Sequence, residues 1–164
     1  MRYVMIMSVV VLVGLQCRAQ TGPAGKADPE RAIRARVALI NRAWQAEDGS
    51  PLFADLLSDK FTASIPHPGK PGAWLVLDKQ QFCQAFRNAM AHNRPKKHFH
   101  RVKRVVAFGA LCHELGTSIH IGADGKKRQD EILNVWKKEG DTWRLIFSTH
   151  TAMLEKVLPP GQGK

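Results

Sequence analysis

The sequence predicts an α+β domain in which a curved antiparallel sheet wraps a long N-terminal helix and two further helices, giving a cone-shaped barrel. Three observations lead there. Ile33, Val37, Ile40 and Trp44 recur at steps of four, three and four, one stripe of a helix. From Lys97 onward the pattern turns to long β-like runs broken at Gly109, Asp124-Gly125 and Gly140, the joints of an antiparallel meander. The helical stretches come first and the meander last, an order that gathers helices on one face of an antiparallel sheet.

Residues 1–19 read as a signal peptide. Arg2 supplies a positive start, Val4 to Leu15 an apolar stretch, and Cys17-Arg18-Ala19 the small residues that a signal peptidase reads. Those apolar positions make a helix of about 18 Å, short of a bilayer core of roughly 30 Å. A retained anchor or a lipidated Cys17 are the weaker alternatives, and the expectation is a secreted or periplasmic protein. Residues 20–27 form a flexible leader. Asp28 caps the first helix with Pro29 at its first position, and Asp48-Gly49 breaks it. Ser50 and Pro51 open a short second helix through Leu52, Phe53, Leu56 and Leu57. A strand Phe61–Ile65 ends at Pro66, and a stiff loop runs to Gly72. Trp74 to Leu77 can form a short strand, and Asp78 with Gln81 makes a capping pair for a third helix carrying Phe82, Phe86 and Ala89. The meander runs are Lys97–Phe108, Leu111–Ile121, Gln129–Lys138 and Thr142–Thr151. The domain is expected over 28–152, with 153–164 a loose tail.

The chain has 164 residues, 44% of them apolar, which excludes a disordered or collagen-like chain and suits one domain with a sizeable core. Lys and Arg number 25 against 14 Asp and Glu, a formal charge of +11. No acidic residue lies between Asp78 and Glu114, while Arg94, Lys96, Lys97, Arg101, Lys103 and Arg104 crowd one short stretch. Such a patch attracts anions over long range. It is a candidate anion-binding surface against the plainer reading of a solvated basic face. Only Phe99 interrupts the cations, too few aromatics for base stacking, so no nucleic-acid partner is expected.

Period 2 puts Asp130, Ile132, Asn134 and Trp136 on one face of the third meander run. If that face is concave, Asp130 and Asn134 are polar groups in an apolar wall, the usual makeup of a small-molecule site. If it is convex, Leu133 and Val135 face the core instead. His98 and His100 also share a face, where either could act as acid, base or donor. They could hold zinc only if His113, Glu114 or His120 converged with them. His67 sits in the proline-rich loop and is a further pocket candidate. Cys83 and Cys112 are either a helix-to-sheet disulfide or two buried thiols. No Gly-x-Ser-x-Gly, His-Glu-x-x-His, Cys-x-x-Cys or glycine-rich phosphate loop is present, so no cofactor or metal is expected and no catalytic residue is assigned.

The run Asn134-Val135-Trp136-Lys137-Lys138-Glu139-Gly140-Asp141-Thr142-Trp143-Arg144-Leu145-Ile146 resembles the closing hairpin of the nuclear transport factor 2 superfamily. Trp44 ahead of Asp48 and then Leu56-Leu57-Ser58-Asp59-Lys60-Phe61 is similar to that family's opening, so the likeness spans about 29–152. This superfamily includes SnoaL-like and ketosteroid isomerase-like domains, and the ending Phe147–Thr151 looks most like its secreted subgroup of unknown function. The resemblance implies the cone fold, a ligand pocket and a homodimer. It does not carry an isomerase activity, because the strand where that enzyme bears its carboxylate base reads Thr62-Ala63-Ser64-Ile65-Pro66. A catalytic His of relatives falls at Phe147 and Thr149 in an ungapped match, one place from His150. The expected function is binding of a small, largely apolar or anionic molecule. Acid/base catalysis of the SnoaL type, through His100 or Asp130, and contact of the basic face with an anionic surface are the alternatives.

Overall fold

The computed structural model describes residues 28–46, 48–67, 69–70, 72–150 and the backbone of 154–156; residues 1–27, where a signal peptide and leader are expected, lie outside them. Helix α1 (Pro29–Gln45) begins where Asp28 accepts a hydrogen bond from the Glu30 N–H at 3.0 Å, offsetting one of the unpaired donors of the first turn. Its stripe Ile33, Val37, Ile40 and Ala43 is buried, each larger side chain contributing about 1.5–3 kcal/mol of burial. Helix α2 (Ser50–Leu56) follows at once, because Gly49 lets the two helices nearly touch. A Cβ on Gly49 would stand 2.0 Å from the Ala43 carbonyl oxygen. Helix α3 (Lys79–His92) starts with a complete capping box: Asp78 accepts from the Gln81 N–H at 2.8 Å, and Gln81 Oε1 from the Asp78 N–H at 3.0 Å.

The strands are β1 (Leu57–Pro66), β2 (Trp74–Asp78), β3 (Lys97–Phe108), β4 (Leu111–Ile121), β5 (Lys127–Glu139), β6 (Thr142–His150) and β7 (Leu154–Lys156). They form one sheet in the order β2-β1-β6-β5-β4-β3, with β7 beside β5. Two expectations need correction. The sheet is mixed, because β1 runs parallel to β6: β1 enters from the helical half and pairs with the last long strand. Residues 154–156 are not tail, since they pair antiparallel with Lys127–Gln129, extending β5's ladder past the end of β6.

Two bulges decide which side chains face the helices. Lys103 is an extra residue between the Val102–Gly116 and Arg104–Leu115 pairs. Ile146 is extra between Val135–Phe147 and Trp136–Leu145. Each bends its strand and shifts the alternation by one, so Val102 and Val105 both pack inward, as do Leu145 and Ser148. The free edge of β3 is covered by α1. Asn41 treats β3 as a neighbouring strand would, its amide donating to the His100 carbonyl at 3.1 Å and accepting from the His100 N–H at 2.6 Å. Arg94 closes the other end of α1, its Nη2 donating to the Gln45 and Ala46 carbonyl oxygens at 2.9 Å each.

Candidate functional site

The sheet's concave face is built in tiers. Toward the β5–β6 turn it is apolar: Cys112 stands opposite Trp136, which stands opposite Leu145, and all three are buried. The next tier joins Glu114, Asn134 and Ser148, with His100 beside them. Beyond it come Ser118 opposite Asp130 and His98 opposite His120, with His150 near Asp130. The face carrying Asp130, Ile132, Asn134 and Trp136 is therefore the buried one, while Leu133 and Val135 are only half-buried.

Glu114 is the hub of the middle tier and is fully buried. His100 Nε2 lies 2.7 Å from its Oε1, and Asn134 Nδ2 donates to Oε2 at 2.7 Å. Trp136 Nε1 donates to the same Oε2 at a longer 3.4 Å. A carboxylate removed from water is tolerated only when its lone pairs are filled, and this one has three donors around two oxygens. Gly116 makes room for the arrangement: a Cβ there would meet His100 Nε2 at 2.4 Å and Glu114 Oε1 at 2.6 Å.

The Asn134 amide orientation follows from the same chemistry. A carboxylate can only accept, so the NH₂ must face Glu114 and Oδ1 must face away. That Oδ1 is buried and has no partner. Asp130 repeats the situation four residues back along the strand, beyond Ile132. Its Oδ2 is 3.6 Å from His150 Nδ1, an ion-pair distance rather than a hydrogen bond, and its Oδ1 is buried without a partner. His150 reaches this face because the Ile146 bulge offsets β6, which the ungapped match could not anticipate.

His98 stacks on Trp44 with ring centroids 4.1 Å apart and planes 20° from parallel, and Phe86 meets the same Trp44 edge-on. Burial drives its imidazole pKa down to about 3, with His120, His100 and His150 adding like-charge repulsion. Burial lowers His120 as well, partly opposed by Asp130. The zinc alternative is not met by the geometry. His100 is committed to Glu114, and His113 is exposed and packs on Phe108 at 5.2 Å. Among the described residues no three His, Cys, Asp or Glu side chains converge as a metal site.

His67 does not join the wall; its Nδ1 accepts from the Gly69 N–H at 3.1 Å and shapes its own turn. Cys83 and Cys112 are both free and buried, so the disulfide is not formed, and burial pushes both thiols up, away from reactivity. Of the basic stretch, Arg94 is spent on α1, and Lys103 grips both oxygens of Glu131 at 2.7 Å. Lys96, Lys97, Arg101 and Arg104 are exposed. An open depression of about 460 Å³ between β1 and α3 is lined by Asp59, Asp78, Lys79, Gln80, Cys83 and Arg87. It lies apart from the polar wall, and its Lys79 is paired with Asp59 at 2.8 Å.

No family model and no curated protein matches the chain. Solved structures do. A nuclear transport factor 2-like protein from Cytophaga hutchinsonii aligns over 77% of this chain and 99% of its own, at 16% identity and a TM-score of 0.64. A domain of unknown function with a cystatin-like fold from Nostoc punctiforme covers 79% and 80%, at 19% identity and 0.63. A nuclear transport factor 2-like protein of unknown function from Silicibacter pomeroyi covers 74% and 93%, at 15% identity and 0.58. At such identities the likeness is one of architecture, and with the strand order, the covering helix and the tiered concave wall it leads to one conclusion: this chain has the nuclear transport factor 2-like cone fold.

Proposed function

We propose that the protein binds a small molecule against the concave wall, a largely apolar body carrying hydrogen-bond donors such as hydroxyl, amine or amide N–H. The observation that carries this reading is the pair of buried, partnerless acceptors, Asp130 Oδ1 and Asn134 Oδ1, on one face of β5. Leaving a polar atom buried and unpaired costs about 1–3 kcal/mol, which a donor on a ligand would recover. Four positions apart on a strand, these residues sit roughly 13 Å from each other, so a ligand that meets both is elongated and carries a donor toward each end. Ile132 lies between them and supplies apolar contact.

The anionic option is the weaker half of the sequence expectation. The wall offers acceptors and a carboxylate to the ligand, and His98 is neutral at ordinary pH, so it brings no positive charge. Glu114 is a poor base for catalysis because its oxygens are already engaged by three donors. Its role in this proposal is to fix Asn134 in the orientation that presents Oδ1. Export, which rests on residues 1–19 alone, is part of the same proposal.

A thermal-shift screen tests it, using matched sets of small apolar alcohols, amines and carboxylates on wild type and Asp130→Val. The expected result is a raised Tm with the alcohol or amine sets on wild type, lost in Asp130→Val. Stabilisation by the carboxylates alone, or the same shifts in both proteins, would overturn the donor reading.

A further inference from the structure

The outer face of β3 is unlike the rest of the surface. Lys97, Phe99 and Arg101 alternate outward, and the Lys103 bulge turns Lys103 and Arg104 to the same side. Lys103 meets Glu131 on the outside of β5, which identifies this as the convex side. Phe99 is 36% exposed between two cations, and Leu115, the register partner of Arg104, is 45% exposed. Lys96, just before the strand, is exposed as well. Carboxylates near the row already have cations of their own: Glu131 is held by Lys103, and Asp124 by Arg128 at 2.9 Å. Glu114, on the neighbouring strand, points inward and is buried. Lys97, Arg101 and Arg104 thus stand on one exposed face without a carboxylate partner among the described residues.

We propose that this face docks the protein on an anionic lipid surface, with Lys97, Arg101 and Arg104 among the headgroups and Phe99 and Leu115 at the acyl boundary. Cations interleaved with isolated apolar side chains are what a lipid interface rewards, since each cation near an anionic leaflet gains attraction that fades within a Debye length of about 10 Å at 0.1 M salt. Single-stranded nucleic acid asks for a run of aromatic platforms among its cations; here Phe99 alone stands among them, and Phe108 lies at the far end of the strand against His113. The concave wall opens on the opposite side of the sheet, so docking leaves the ligand face free.

Vesicle sedimentation tests the proposal on the full chain, comparing phosphatidylcholine vesicles with vesicles of equal parts phosphatidylglycerol and phosphatidylcholine. Residues 1–19, where they remain attached, carry Arg2 and Arg18 and are identical in every variant, so the difference between wild type and the double variants isolates the face. The expected result is a strong preference for the anionic vesicles that disappears at high salt. Lys97→Glu with Arg101→Glu should weaken it by at least about five-fold for each cation, and Phe99→Ser should lower binding while leaving the salt dependence in place. Lys97→Gln with Arg101→Gln gives the same reading where the reversal variant does not fold. Equal binding to both vesicle types, or unchanged preference in the double variants, would overturn the proposal. Displacement from anionic vesicles by an equal charge of single-stranded oligonucleotide would overturn it in favour of nucleic acid.

Discussion

Glu114 and Asp130 are both carboxylates on the concave face, on neighbouring strands and almost equally buried, yet their surroundings differ. Glu114 is enclosed by His100, Asn134 and Trp136. Asp130 has an ion pair at 3.6 Å on one oxygen and nothing on the other. A buried carboxylate that is fully engaged is part of the wall, and one left half-engaged is a place for something else to bind. Depth of burial does not distinguish the two; the inventory of donors does.

The largest effect is expected from breaking the satisfied side. Glu114→Met keeps the shape but orphans the donors of His100, Asn134 and Trp136, and should cost about 3–5 kcal/mol in urea unfolding. Gly116→Ala comes next. It forces a methyl between His100 and Glu114 and against the Arg101 carbonyl oxygen at 2.9 Å, and should lower stability by about 1–3 kcal/mol. A loss as large in Gly69→Ala, whose added Cβ meets only the His67 ring at an ordinary 3.8 Å, would show that this cost is not specific to the dyad.

A smaller effect distinguishes the open end of the wall. His98 has a folded-state pKa of about 3, below its ordinary 6.5, so the unfolded chain takes up a proton that the folded one refuses. Its contribution is full above pH 6.5 and is lost as pH falls from there toward 3, at about 1.4 kcal/mol per pH unit. His98→Phe keeps a ring on Trp44 and should flatten the acid side of the stability profile relative to wild type. Parallel profiles for the two proteins would remove His98 from that account.

How much of this was legible in the sequence depends on distance along the chain. The α1 stripe, the capping box at Asp78 and Gln81, and the turns at Gly109, Gly125 and Gly140 are local, and all three glycines have positive φ. The period-2 face of β5 was equally plain, though only the structure tells its concave side. The parallel pairing of β1 with β6 joins residues 85 to 88 positions apart, and no local pattern encodes it. Glu114 was hidden by an inverted alternation. On β4 the polar phase Glu114, Gly116 and Ser118 faces inward while Leu111 and Leu115 face water, against the usual binary pattern. Such a violation is itself a sequence signal, since local rules fail most often where a site is being built. His150 was lost for a different reason: a single bulge residue in β6 reverses which side of the sheet every later position faces.

The most direct measurement is the unfolding free energy of Asp130→Val beside that of Glu114→Met, both without ligand. Removing a buried acceptor that has no partner should leave Asp130→Val at least as stable as wild type, while Glu114→Met falls by several kcal/mol. Comparable losses in the two variants would mean that Asp130 is as firmly bound into the wall as Glu114, and the place reserved for a ligand would not exist.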